Sequence, residues 1–447
     1  MQSDQNLNQI VRLILIAFFL TALSLIFWSV LRADHILSRD DNPRQVEAIL
    51  QIQRGQILDK NGRLLAETIN PETEQQRHYP VATIGPAVGY YNFKYGTAGV
   101  EDSLNSILQG DTENPWETIW RNAIHAPQKG QSVQTTLDAD LQILAETLMA
   151  DKKGALVLFS QTNQTADVLT LVSHPGYDPN RLQEEFVSLT KDEEAPLLNR
   201  VTQGQYQPGM ILQPFLLAFL LDNGDIRFDE TVEHPNRPVL INDTATYCME
   251  TAPEPASWQD VLNHRCPGPM LDLAQDLSLA DLNNAFNQFH LTKQPQFLLD
   301  TETNIYPPLA DSNQAAIGQD NLIITPLQIA QAWLTLNNNG RFPTLRLVSH
   351  VQDKSGEWLS FPLDSLPGET AVSPQTAFDI LQSLPKNNAI TEFSTLVLSG
   401  PEGTTNTWYL GATPTGQAIV IVLEDQADLE KIEEIGREIL TAAQQSI

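Results

Sequence analysis

From Leu13 to Leu31 the chain carries no charged residue. About 20 consecutive apolar residues suffice to cross a bilayer, so this run predicts a transmembrane anchor at 13–31. Trp28 stands near one end, where interfacial aromatics are favoured. A cleaved signal peptide would have a shorter apolar core ending in a small-x-small site, and none precedes Arg32. Residues 1–12 then form a short cytoplasmic tail. The flanking charges are mixed, Arg12 before the run and Arg32, Asp34 and Arg39 after it. They barely decide the orientation.

The remaining chain is long enough for two or three domains and a large core. A formal charge of −29 over 447 residues argues against nucleic acid or an anionic lipid surface as partner. Two cysteines, Cys248 and Cys266, make neither a disulfide scaffold nor a four-ligand zinc site. No metal or cofactor is expected. The most informative stretch of the body runs from Asn199 to Pro214. Pro208 and Gly209 punctuate a turn, and the apolar run from Met210 opens a buried helix. The first and fourth residues of such a helix share a face, and here they are Met210 and Gln213.

Several ordered segments give this stretch its context. Arg54-Gly-Gln-Ile-Leu-Asp-Lys-Asn-Gly-Arg-Leu-Leu-Ala66 reads as two strands around an Asp-Lys-Asn-Gly turn. Asp138 is a plausible N-cap for a helix through Leu148. Gly154 to Phe159 and Asp167 to Ser173 read as paired strands, closed by His174-Pro-Gly-Tyr-Asp-Pro-Asn180. Residues 225–270 are rich in Pro, Asp and Asn and read as surface loop. Residues 418–424 form a strand, and 428–444 a closing helix.

Together these segments resemble the class B penicillin-binding proteins. The hairpin is similar to the box that opens their pedestal, carried here by Arg54, Gly55, Asp59, Asn61 and Gly62. Tyr79-Pro80, Val88-Gly-Tyr90, Gly96-Thr-Ala-Gly-Val-Glu101 and Leu108-Gln-Gly110 continue that pattern. The Asp-Pro-Asn turn, the Gly-Gln and Thr-Pro-Leu-Gln segment from Ala316 to Ala330, and Asn406-Thr-Trp-Tyr-Leu-Gly-Ala-Thr-Pro414 resemble the transpeptidase domain. The Asn199-Arg200 pair and the Tyr206-x-Pro-Gly209 turn resemble the segment that leads into its acylation site. The resemblance implies a pedestal at 32–130 and a transpeptidase-like domain at 131–447. The latter would be an α/β (α+β) unit with a mostly antiparallel sheet flanked by helices, the bulk lying outside the cytoplasm.

The same resemblance defines what the active site needs: a Ser-x-x-Lys helix start, a Ser-x-Asn loop and a Lys-Thr-Gly strand. The nucleophile and its base fall at Met210 and Gln213. The loop falls at Cys266-Pro267-Gly268, and the strand at Pro401-Glu402-Gly403-Thr404. A thioether does not usefully attack a carbonyl, and an amide is no base at neutral pH. No serine occurs between Leu189 and Ala256, and no lysine between Asp192 and Thr292 or between Asn387 and Glu430. Sliding the alignment inside those windows therefore restores nothing. Ser188-Leu-Thr-Lys191, Ser383-Leu-Pro-Lys386 and Lys354-Ser-Gly356 match the patterns in the wrong places, upstream of the Asn-Arg pair, across a proline and in a hairpin turn.

The expectation is a catalytically inactive pseudo-transpeptidase. Tyr206, Gly209, Gly403, Thr404 and Trp408 would line the old cleft, with no catalytic residue left. By resemblance its partners are a SEDS-type membrane glycan polymerase or other divisome or elongasome proteins. A peptidoglycan stem peptide held without cleavage, and an active transpeptidase or carboxypeptidase with another nucleophile, are the rival readings. An exported chain permits a Cys248–Cys266 disulfide, with free thiols as the alternative. Cys266 as a substitute nucleophile and a His264–Cys266 metal pair are further, weaker readings.

Overall fold

The computed structural model describes residues 2–27, 52–69, 76–111, 128–241, 243–302, 307–363, 368–399 and 404–446. The chain divides into two compact units, one of residues 1–53, 69–76 and 112–129, the other of residues 54–68, 77–111 and 130–447. Within the first, helix α1 spans Gln2–Ile26. Among the described residues no helix is long and apolar enough to cross a membrane. The expected span at 13–31 runs past Phe27 into residues outside that set.

The second unit is built around two large sheets. Strands β1 (Ile57–Leu58) and β2 (Leu64–Ile69) form the expected hairpin. Asp59 shapes its turn, Oδ1 accepting from the amides of Asn61 and Arg63 at 2.8 Å each. The other oxygen accepts from the Ala139 amide at 3.3 Å, so the turn docks on the helix α2 (Ala139–Met149) that Asp138 caps. Strand β3 (Gln76–His78) lies beside β2, and β4 (Val133–Thr135) pairs with β1 in parallel.

The larger sheet uses strands β5 (Gly154–Gln161) and β6 (Thr165–His174), then β7 (Thr344–Arg346) from far down the chain. Strands β8 (Val348–Gln352) and β9 (Trp358–Ser360) return to the small sheet, whose order is β9-β8-β4-β1-β2-β3. The small sheet therefore combines the N-terminal hairpin with a hairpin from much later in the chain. Strands β10 (Lys386–Asn387), β11 (Ile390–Ser399), β12 (Thr404–Ala412) and β13 (Gln417–Leu423) complete the seven-stranded sheet in the order β7-β6-β5-β13-β12-β11-β10. Every pairing in it is antiparallel except β7 with β6.

Alternation along β13 shows how the sheet is covered. Ile419 and Ile421 pack with Leu141, Ala145 and Met149 of α2 and with the C-terminal helix, while Val420 and Val422 face the main core. The C-terminal helix, Leu429–Gln445, buries Ile432, Ile435, Ile439 and Leu440, each contributing about 1.5–3 kcal/mol. Gly436 of that helix lies so close to the Tyr409 ring that an added Cβ would stand 2.1 Å from Cε1. Gly436→Ala is expected to lower stability by about 1–3 kcal/mol in denaturant unfolding, because the ring is locked in the core.

On the other face runs helix α3 (Gln213–Asn223), and Pro326–Asn337 forms a helix buried along nearly its whole length. Thr325 and Gln328 form a capping box at the start of the latter. The stretch 225–270, read from sequence as surface loop, is partly ordered instead. It holds the helix Trp258–Asn263, and a further helix begins at Gly268. Ser257 and Asp260 form a capping box that composition alone concealed.

Candidate functional site

The segment Asn199–Pro214 folds as a turn leading into a helix start. Asn199 Nδ2 donates to the Pro86 carbonyl at 3.1 Å, and its Oδ1 caps the Val201 amide at 3.1 Å. Arg200 is 2% exposed and donates through Nε to Glu424 Oε1 at 3.0 Å. Its other nitrogens reach the carbonyls of Ala195 and Glu194. Tyr206 Oη donates to the same Glu424 oxygen at 2.8 Å. Burial first, then the Glu424 carboxylate, push its phenol above the ordinary range. The Asn-Arg pair is thus an anchor whose hydrogen bonds end on protein.

Met210 follows on a 3-10 turn, Gly209–Leu212, and Gln213 is the first residue of α3 directly after it. Pro214 has no N–H for an α-helical bond to Met210, whose carbonyl instead takes the Gln213 amide three residues on. Residues three apart eclipse in that geometry, so the two side chains still share a face. Gly209 is required there. Its φ is +57°, and a Cβ would lie 2.5 Å from Val397 of β11.

Both marker side chains are buried, Met210 at 7% and Gln213 at 1% exposure. Gln213 Nε2 donates to the carbonyls of Cys266 at 3.3 Å and Val261 at 3.4 Å. Its Oε1 is buried without a hydrogen-bond partner. Chemically the side chain is a donor spent on two backbone oxygens. Cys266 is bonded to Cys248 in a disulfide, and a disulfide sulfur is neither a thiolate nucleophile nor a metal ligand. Gly268 begins the next helix. Met210, Gln213, Cys266 and Gly268 are therefore drawn together.

The other expected cleft residues are divided. Trp408 is fully buried, its Nε1 donating to the Gln207 carbonyl at 3.2 Å and its ring edge-on to Tyr206. It is a core residue, because its face of β12 points into the main cluster, and it does not line a cleft. Tyr206 and Thr404 line a depression of about 320 Å³ with Arg200, Ser399 and Glu424. Met210, Gln213 and Cys266 have no part in it. Thr404 opens β12 opposite Ser399. Pro401, Glu402 and Gly403 lie outside the described residues. The strand that approaches the 3-10 turn is β11, upstream of the expected 401–404 slot, through Val397.

Sequence reading missed the partner that reaches this strand from the Cys266 loop. Arg265 Nη1 meets Ser394 Oγ at 3.1 Å, and Ser394 Oγ donates to Glu433 at 2.6 Å. Arg437 joins Glu433 to Glu392, and Tyr409 Oη donates to Glu392 at 3.2 Å. Burial, ahead of the compensating Arg437, pushes the Glu392 carboxyl up. No motif announces such a pairing. Among the described residues no three His, Cys, Asp or Glu side chains gather to hold a metal ion.

Residues 154–391, more than half of the chain, match the family model of the penicillin binding protein transpeptidase domain. The chain belongs to that family. Residues 54–133 also match the penicillin binding protein A dimerisation domain, which takes in the β1–β2 hairpin and β3. This penicillin-binding protein is 24% identical over 471 residues to the peptidoglycan D,D-transpeptidase PbpA of Mycolicibacterium smegmatis, covering 95% of this chain and 94% of that one. It is 33% identical over 152 residues to the peptidoglycan D,D-transpeptidase MrdA of Escherichia coli K12, a match spanning 31% of this chain and 24% of that protein. Its fold superposes on the crystal structure of PBPA from Mycobacterium tuberculosis with a TM-score of 0.75 at 22% identity, covering 88% of this chain and 99% of that one.

Proposed function

We propose that this penicillin-binding protein works in peptidoglycan synthesis as a catalytically inactive pseudo-transpeptidase. The observation that carries the reading is the state of Gln213, whose amide is committed to the carbonyls of Val261 and Cys266 beside a buried Met210 thioether. Neither group supplies the nucleophile or the base that acyl transfer requires. The relatives named as peptidoglycan D,D-transpeptidases support the place in wall synthesis.

The protein acts from the membrane, with its bulk on the extracytoplasmic side, as a scaffold or regulator of a SEDS-type glycan polymerase or another divisome or elongasome partner. The apolar side chains of α1 support the anchoring. Leu13, Phe18 and Leu25 are 66%, 75% and 69% exposed, and the uncharged stretch they belong to is suited to a lipid surrounding. Deletion is expected to disturb cell shape or division and to lower glycan polymerisation in isolated membranes, with both restored by the wild-type gene. Unchanged morphology together with unchanged polymerisation would sink the scaffold reading.

A further inference from the structure

The loop between the helices Trp258–Asn263 and Gly268–Ala274 gathers several unfavourable features in consecutive residues. Arg265 lies at φ +56°, a left-handed conformation that residues bearing a Cβ seldom adopt. Its side chain is only 8% exposed, and its Nε is buried with no partner. Burial pulls the guanidinium below its ordinary pKa, against the attraction of Glu250, Glu433 and Glu392. The contact to Glu250 at 3.2 Å falls on a carboxylate that is 69% exposed and therefore screened. What the guanidinium does hold is β11, through Ser394 Oγ at 3.1 Å and the Ser394 carbonyl at 3.4 Å.

Cys266 follows immediately, 0% exposed and tied to Cys248. The Met249 amide donates to the His264 carbonyl at 3.0 Å, so the loop is fastened to the 248–250 segment on both sides of Arg265. A covalent tie beside a strained, under-satisfied residue holds a conformation that the local contacts alone favour weakly.

We propose that this loop is a redox-controlled latch, in which the Cys248–Cys266 disulfide keeps Arg265 seated on β11 and holds the Cys266 carbonyl against Gln213. The location of the latch at a former active site rests on the function proposed above. The mechanics of the latch do not. A dithiol oxidoreductase of thioredoxin-like type would supply two electrons and two protons. Its thiolate attacks the half-buried Cys248 sulfur, Cys266 leaves as thiolate and takes a proton, and a second thiol then releases Cys248 as the reductant closes its own disulfide. Freed of the tie, the loop relaxes from the left-handed conformation and Arg265 leaves Ser394.

Amide hydrogen exchange on the full chain in detergent micelles tests this, with dithiothreitol as the reductant. Exchange in peptides covering 262–268 and 393–398 is expected to rise about tenfold on reduction, while peptides from Pro326–Asn337 and β13 stay protected. Arg265→Ala is expected to raise exchange at 393–398 without reductant, and Cys248→Ser to reproduce the reduced pattern. No change in the two peptides overturns the latch. So does a rise spread across the whole core, which would make the disulfide a general staple only. A covalent β-lactam adduct would overturn the inactive-enzyme reading and leave these exchange results standing.

Discussion

Purified protein incubated with a fluorescent β-lactam is expected to give no covalent band that survives boiling in detergent. Acylation needs an oxygen or sulfur nucleophile, a nearby base and donors aimed at the developing oxyanion. Met210 offers a thioether, Gln213 an amide already donating to Val261 and Cys266, and Cys266 is held in a disulfide. Met210→Ser alone is expected to stay unlabelled as well, since Gln213 cannot take the serine proton. Losing a nucleophile and its base lowers acyl transfer by about 10⁶-fold in serine hydrolases whose members act as a unit, far beyond what the gel detects. A labelled band, mapped to its residue, would show that a group elsewhere performs the chemistry.

The second large effect concerns stability. Glu101 is fully buried, and one of its oxygens accepts from Arg54 Nη2 at 2.8 Å and Nε at 3.1 Å. The other accepts from Arg77 Nε at 2.6 Å and from Tyr79 Oη at 3.3 Å. Arg54 also stacks 4.2 Å from the Tyr91 ring centroid, and Arg77 holds the Gly55 carbonyl at 2.8 Å. Glu101→Gln would leave two buried guanidinium groups facing a neutral amide. Breaking such a pair from one side typically costs about 3–5 kcal/mol, and thermal unfolding should register it.

The pH dependence carries a definite sign. Burial pushes the Glu101 carboxyl up, but Arg77 and Arg54 together outweigh it and hold the group below its ordinary value. A lowered folded pKa stabilises at pH above the unfolded carboxylate value, about 4.3. That contribution disappears as pH falls through the folded value. The gap between wild type and Glu101→Gln should therefore be full at pH 7 and shrink under strongly acidic conditions. A gap independent of pH would mean the variant acts through packing alone.

Much of the architecture was legible because it is local. Turn chemistry announced the Asp59 hairpin, short apolar runs announced β5, β6 and β13, and Asp138 announced its helix. The motif residues Arg54 and Glu101 were also legible as pattern, though nothing in their spacing said that they meet. The reading of 225–270 failed for a local reason too. Its Pro and Asp content is that of a loop, and the short helix inside it rests on a capping box and on burial of Trp258 against the core. Trp408 failed differently, since a motif gives a residue's position on a strand but not which layer covers that face.

By itself the sequence determined that the chain has the penicillin-binding frame, that no serine stands between Leu189 and Ala256, and that no lysine stands between Asp192 and Thr292. It did so because composition within a window is independent of folding. Only the tertiary structure decided which partners Gln213 and Arg265 meet. Arg265 and Ser394 are 129 residues apart, and Gln213 finds its acceptors about 50 residues away. Whether a buried polar group is satisfied, orphaned or strained depends on what the fold sets against it, and sequence neighbours do not carry that information.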